Sequence, residues 1–181
     1  MKKFRQKREN ARKARKAVNL LFPGEKWIAV EDGIYLSPNR AIGDKTSYKD
    51  ELRCAQILRN LGSTIYLAPE NRRLAGKKFD AIVDGLKYEF KNVSGNASTL
   101  EKQFLRSRSQ APNVFINLEN SMLSKKEIIS TLYGARNKPE TEKRHGYTHY
   151  NKFKDGKIVL NIREQHSLVY INVNDFEIKK A

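Results

Sequence analysis

Apolar and polar positions alternate along this chain in short blocks separated by turn residues. Residues 26–30 and 34–36 flank Glu31-Asp32-Gly33, which predicts a hairpin turning on Asp-Gly. Residues 37–47, with Pro38, Asn39, Gly43 and Asp44, read as loop. The spacing over 48–61 predicts a helix with Asp50 near its start and Gly62 as its stop. A strand follows at 64–67, closed by Pro69, and then a basic loop at 70–78. Residues 79–83 and 86–93 read as two strands joined by Asp84-Gly85, the strongest hairpin signal in the sequence. Ser98-x-x-Glu101 has the form of a capping box opening a helix to about residue 110, with Pro112 as its stop. A strand is expected at 114–118. Ser124-x-x-Glu127 repeats the box and opens a helix to about residue 136. The polar stretch 137–156 reads as an exposed loop, and 157–162 with 168–173 as a last hairpin.

Between residues 48 and 118 the expected order is helix, three strands, helix, strand. That order predicts an α/β or α+β fold, a mixed central β-sheet flanked by helices, with a hairpin at each end of the chain. The length of 181 residues suits one domain with a real hydrophobic core, and no internal repeat is visible. Residues 18–181 are expected to form that domain, with 48–118 as its core, behind a basic arm at 1–17.

The 84–85 hairpin carries the candidate chemistry. A two-residue turn pairs Val83 with Leu86, so Asp80 is expected opposite Glu89, with Lys91 on the same face. Phe79, Ala81, Val83, Tyr88 and Phe90 make the other face, a coherent buried side. Two carboxylates held about 5 Å apart across a strand pair repel each other. A divalent cation offsets that repulsion, and carboxylate oxygens are the ligands Mg²⁺ or Mn²⁺ prefer. Asp80 and Glu89 as metal ligands, with Lys91 stabilising charge on a phosphorus centre, are the parts phosphodiester hydrolysis needs. Glu51 is a further candidate, because it shares a helix stripe with Ala55 and Leu58, where an unpaired carboxylate is costly. Its competing reading is an acid in an exposed first turn, favoured by the helix dipole. Asp80 and Glu89 have a plain reading too, as solvent-facing residues neutralised by Lys78, Lys87 and Lys91.

Charge points to a polyanion. The formal net charge is +16, with 36 Lys and Arg against 20 Asp and Glu. Such self-repulsion is not a requirement of folding and fits a nucleic-acid partner. Half of it lies in residues 1–17, where Lys2, Lys3, Arg5, Lys7, Arg8, Arg12, Lys13, Arg15 and Lys16 face only Glu9. This stretch reads as an arm that becomes helical on a partner, or as a solvated tail. The single cysteine, Cys54, excludes a disulfide framework and a cysteine-based zinc site. Neither a signal peptide nor a membrane-spanning segment is recognised, which leaves the cytoplasm as the expected place of action.

Asp80-x8-Glu89-Phe90-Lys91, with Glu51 on the preceding helix, resembles the PD-(D/E)XK nuclease superfamily, the restriction-endonuclease-like fold. The likeness covers about 48–118, and Phe79 stands where the family name has proline. It implies a catalytic set of Asp80, Glu89, Lys91 and Glu51. It also implies Mg²⁺ held by Asp80, Glu89 and the backbone carbonyl of Phe90. Within the superfamily the compact basic layout is most similar to tRNA-nuclease toxin domains of contact-dependent inhibition proteins and mobile elements. That similarity implies a metal-dependent endonuclease acting on structured RNA such as tRNA, or on DNA, with a cognate immunity protein as a further partner. Gln103 and Arg106, one turn apart on the next helix, are candidates for substrate contact or a solvated face. Asn92 and Ser94 are weaker ones. His145 and His149 in a polar loop, and Tyr147, Tyr150 and Phe153 among lysines, read as solvated, loop-pinning or base-stacking residues. The alternative from a different class is a nucleic-acid-binding protein without catalysis. Oligomeric state is not encoded in any pattern seen here.

Overall fold

The structure, a computed structural model, describes residues 2–40, 45–69, 79–136, 138, 156–162, 168–172 and 178–180. The chain divides into two compact units, Met1–Tyr88 and Glu89–Ala181. Helices cover a mixed β-sheet, as expected, and the order from α2 to β6 is helix, three strands, helix, strand.

The first unit contains α1 (Lys2–Leu21), β1 (Ile28–Glu31), β2 (Ile34–Leu36), α2 (Lys45–Asn60), β3 (Ile65–Leu67), β4 (Ala81–Val83) and the start of β5 (Leu86–Asn92). These strands lie in sequence order; β2 and β3 run parallel and the other neighbours antiparallel. Leu58, Arg59, Gly62 and Ser63 end α2. The Ser63 amide reaches the Leu58 carbonyl and the Gly62 amide the Arg59 carbonyl, with Gly62 at φ 92°. That is the left-handed Schellman stop that a glycine after the last helical turn favours. Asp84 (φ 49°) and Gly85 (φ 92°) form the two-residue turn that the sequence demanded. The Asp84 carboxylate accepts from the Thr64 amide at 2.8 Å, which ties the turn to the start of β3.

The arm expected at 1–17 is a docked helix. Ala14 and Val18 on α1 are fully buried against Tyr66 and Ile82, with Ala17, Leu21, Phe22, Trp27, Tyr35 and Phe79 around them. Residues 14, 17, 18 and 21 have helical spacing, and a boundary at 17 cuts that stripe in two. Full burial of a valine contributes about 1.5–3 kcal/mol, enough to hold an otherwise basic helix. Pro23 cannot donate to the helix, and Gly24 turns left-handed at φ 81°, so the helix stops there. This docking also changes β4. Ile82, two positions from Asp80, is covered by α1, and Ala81, Ile82 and Val83 are all buried.

The second unit holds the rest of β5, then α3 (Ala97–Arg108), β6 (Asn113–Leu118), α4 (Lys125–Arg136), β7 (Lys157–Ile162), β8 (Leu168–Asn172) and β9 (Ile178–Lys180). Strand β9 has no counterpart in the sequence reading. β6 and β7 are parallel; β7, β8 and β9 are antiparallel. One core joins Val93, Leu100 and Phe104 to Val114, Ile116 and Leu118, to Ile128 and Leu132, and to Ile158 and Leu160. The predicted box at Ser124 forms: the Ser124 amide and hydroxyl donate to Glu127, and the Glu127 amide donates to Ser124 Oγ. The predicted box at Ser98 does not. Asn96 caps α3 instead, accepting from the Thr99 amide at 3.1 Å, two positions before the expected cap. Asn96 is as good a cap as serine, and no chain signal ranks the two.

Candidate active site

In the first unit the chemistry gathers around Asp80. The pairing arithmetic holds through Val83↔Leu86, Ile82↔Lys87 and Ala81↔Tyr88. It breaks at the next residue, where the Asp80 amide bonds the Tyr88 carbonyl at 2.9 Å. Residues 80 and 81 thus both face Tyr88, which is a β-bulge, and a bulge re-aims the side chain it carries. The expected position of Asp80 squarely across the pair is corrected in this respect. On its other side the Asp80 carbonyl accepts from the Ala68 amide at 2.9 Å.

Arg40 bonds the backbone beside this irregularity. Its guanidinium donates through Nη1 to the Ala68 carbonyl, and to the Asp80 carbonyl at 3.4 Å. Through Nη2 it forms an ion pair with Glu51. Both side chains are buried, 3% and 11% exposed, so the pair is held away from water. Glu51 therefore does point inward from α2, as the costly stripe implied, and a buried cation offsets it. Its carboxylate is joined through Arg40 to the backbone at Asp80. Sequence reading missed Arg40 because it sits in a stretch with no periodicity, where burial leaves no trace.

In the second unit Glu89 and Lys91 stand two residues apart on β5. Glu89 is only 2% exposed. Lys91 is partly buried, and its Nζ lies 2.5 Å from Glu89 Oε1. Phe90, between them, turns the other way and meets Phe115 edge-on at 5.9 Å. Its side chain is core, so only its carbonyl is suited to a ligand role. Just beyond, the Val93 amide bonds the Asn117 carbonyl at 2.9 Å. Asn117 is itself buried and accepts from Asn161 at 2.8 Å across the β6–β7 pair. On α3, Arg106 is exposed and Gln103 half-buried, which suits a solvated face and leaves both accessible. Asn92 is half-buried and Ser94 exposed. Another residue that the sequence did not single out, Arg108, is buried and donates to the Ala135 and Lys138 carbonyls at the end of α4. That is a C-terminal cap.

Among the described residues no three His, Cys, Asp or Glu side chains gather into a metal-binding cluster. Two carboxylates and a carbonyl do not amount to such a cluster, and Mg²⁺ is commonly held by one or two carboxylates with water and substrate oxygens. The carboxylate and carbonyl oxygens of the kind Asp80, Glu89 and Phe90 carry are the hard donors that ion prefers.

Of the basic residues in 1–17, Arg5, Lys7, Arg8, Arg12, Lys13, Arg15 and Lys16 are exposed on α1. Lys7 pairs with Asp32 at 3.0 Å and Lys13 with Glu9 at 2.8 Å. The Asp32 and Glu9 carboxyls are each held below the usual range by hydrogen bonding to that lysine. The side chains of Lys2 and Lys3 lie outside the described residues, as do the basic loop 70–78 and His145, Tyr147, His149, Tyr150, Phe153 and His166. Among the described residues no helix is long and apolar enough to cross a membrane.

No protein-family model matches the chain, and no curated protein sequence does. A solved structure does: a chain of the CdiA-CT/CdiI toxin and immunity complex from Burkholderia pseudomallei. It aligns with a TM-score of 0.50 at 19% identity, over 77% of this chain and 98% of that one. The chain is similar in fold to a chain of that toxin and immunity complex.

Proposed function

We propose that this protein is a metal-dependent endonuclease of toxin type, with Asp80, Glu89 and Lys91 as its catalytic residues. The observation that supports it most is the burial of Glu89 beside Lys91. A carboxylate at 2% exposure on a strand carries a desolvation cost that packing alone does not explain. In this reading Asp80, Glu89 and the Phe90 carbonyl hold Mg²⁺ or Mn²⁺. When bound there, the ion supplies Lewis acidity toward a phosphodiester oxygen and lowers the pKa of a water. Lys91 stabilises the charge that develops on phosphorus as the water attacks. Its pairing with Glu89 keeps the ammonium oriented before substrate arrives. Arg40 and Glu51 touch no reacting atom; they hold the bulge from which Asp80 projects. The substrate is nucleic acid, structured RNA such as tRNA or DNA, matching the net charge of +16. An immunity protein is a proposed partner, in line with the complex to which the chain is similar.

Asp80→Asn, Glu89→Gln and Lys91→Gln test the assignment. Removing a group that stabilises transition-state charge costs about 10²–10³-fold in rate. Each variant should lose at least that much cleavage while keeping its far-ultraviolet circular dichroism. A folded Asp80→Asn protein that cuts at the parent rate removes Asp80 from the site.

A further inference from the structure

We propose that the solvent face of α1 is a fixed docking rack for the phosphate backbone of a nucleic acid, built from Arg5, Arg8, Arg12, Arg15 and Lys16. The inference deepens the nucleic-acid reading above and rests on it. Successive members of the row are three or four positions apart up to Arg15, so they lie along one side of the helix. All five are exposed. None forms an ion pair among the described residues, whereas Lys7 and Lys13, nearer the docked side or its margin, are taken by Asp32 and Glu9. Of the seven exposed cations among α1's described side chains, Lys7 and Lys13 are thus held in ion pairs. The other five are not, although Arg12 and Arg5 also lower the Glu9 carboxyl after its hydrogen bond from Lys13.

The helix is held rigidly at its far end. Ala14 and Val18 are fully buried on the opposite side. The turn at Gly85 also sits close under α1, because a Cβ there would come within 3.1 Å of the Lys13 carbonyl oxygen. The row is therefore fixed to the first unit over its C-terminal half, so the guanidinium groups need little ordering on binding. From Arg5 to Arg15 it runs about 15 Å at the rise of an α-helix. A nucleic-acid strand presents a phosphate roughly every 3.4 Å along a duplex axis, so several fall within that reach. Guanidinium forks suit phosphate oxygens better than ammonium groups do, and four of the five are arginine.

The same docking argues against an anionic membrane. A helix lying in a lipid surface inserts its apolar side chains. On α1 these are spent: Ala14 and Val18 are buried in the unit, with Ala17 and Leu21 packed against them. Exposed Leu20 is the one large apolar side chain α1 leaves to solvent among its described side chains. Deleting residues 1–17 would strip Tyr66 and Ile82 of their cover, so point changes are the sound test.

The experiment measures binding of the full-length Asp80→Asn protein to a duplex RNA and to a duplex DNA across a salt series. Arg8→Gln/Arg12→Gln is compared with Lys7→Gln/Lys13→Gln, each removing two charges. Each phosphate contact contributes about 0.9 to the log–log slope on a duplex. The arginine pair should flatten the slope by about 1.8, and the lysine pair by less than half as much. Equal flattening by both pairs overturns the row in favour of diffuse charge. Binding of the same protein to phosphatidylserine vesicles, lost in the arginine pair while nucleic-acid slopes stay unchanged, overturns it in favour of a membrane. The nuclease reading is judged separately. A row-dependent slope in a parent protein that cuts nothing leaves the rack standing alone. Cleavage by the parent with unchanged slopes removes the rack and keeps the enzyme.

Discussion

Arg40 and Glu51 set the terms at the scale of single residues. Two opposite charges buried together are costly to separate, because the one left behind has no water to turn to. Truncating one member of such a pair costs about 3–5 kcal/mol, whereas replacing both with apolar groups is often close to neutral. Arg40→Met should therefore destabilise the protein strongly, and Arg40→Met/Glu51→Leu should regain most of the loss in urea unfolding. Equal destabilisation by the single and double variants would mean that the carboxylate left behind is not what makes the single change costly. If Arg40 positions Asp80 through the bulge, the double variant, though stable, should still cut slowly, with kcat falling more than KM rises. Glu51 was legible in the sequence as an inward carboxylate in need of a partner. The partner was not, since the two stand eleven positions apart in the sequence and no periodicity links them.

At the scale of elements, local patterns were read well where one signal had no competitor. The Asp84-Gly85 turn, the Gly62 stop and the Ser124 box all formed as read. The start of α3 had two rivals, Asn96 and Ser98, and the structure uses the former. Asn96→Ala should cost about 1 kcal/mol and Ser98→Ala much less. Thermal unfolding of the two variants checks this, and the reverse ranking would restore Ser98 as the cap. The Ser124 box carries a pH signature. The Glu127 carboxyl is held below the usual carboxylate range, first by the Ser124 hydroxyl and then by its amide. Its contribution is fully present above the ordinary carboxylate pKa and is lost as pH falls through the lowered value. The stability gap between the parent and Glu127→Gln should accordingly narrow on acidification. α1 was the element read least well, since its charge masked the four-residue apolar stripe that docks it.

For the whole molecule the central question is whether the basic charge and the buried carboxylate serve one reaction. A ligand that binds only the folded state raises its stability, by about 2.7 kcal/mol at a hundred times Kd. Mg²⁺ should raise the melting temperature of the parent and not that of Asp80→Asn/Glu89→Gln. Equal shifts at matched ionic strength would mark a salt effect. The fold class followed from element order, but the chemistry of the partner was legible only as charge. The most direct measurement is cleavage by the purified parent protein, incubated with total RNA and separately with plasmid, in Mg²⁺ and in excess chelator. The account predicts discrete fragments from at least one substrate in Mg²⁺ and none in chelator. Tight binding of both nucleic acids with every strand left intact would contradict it, and would make the protein a binder rather than an enzyme.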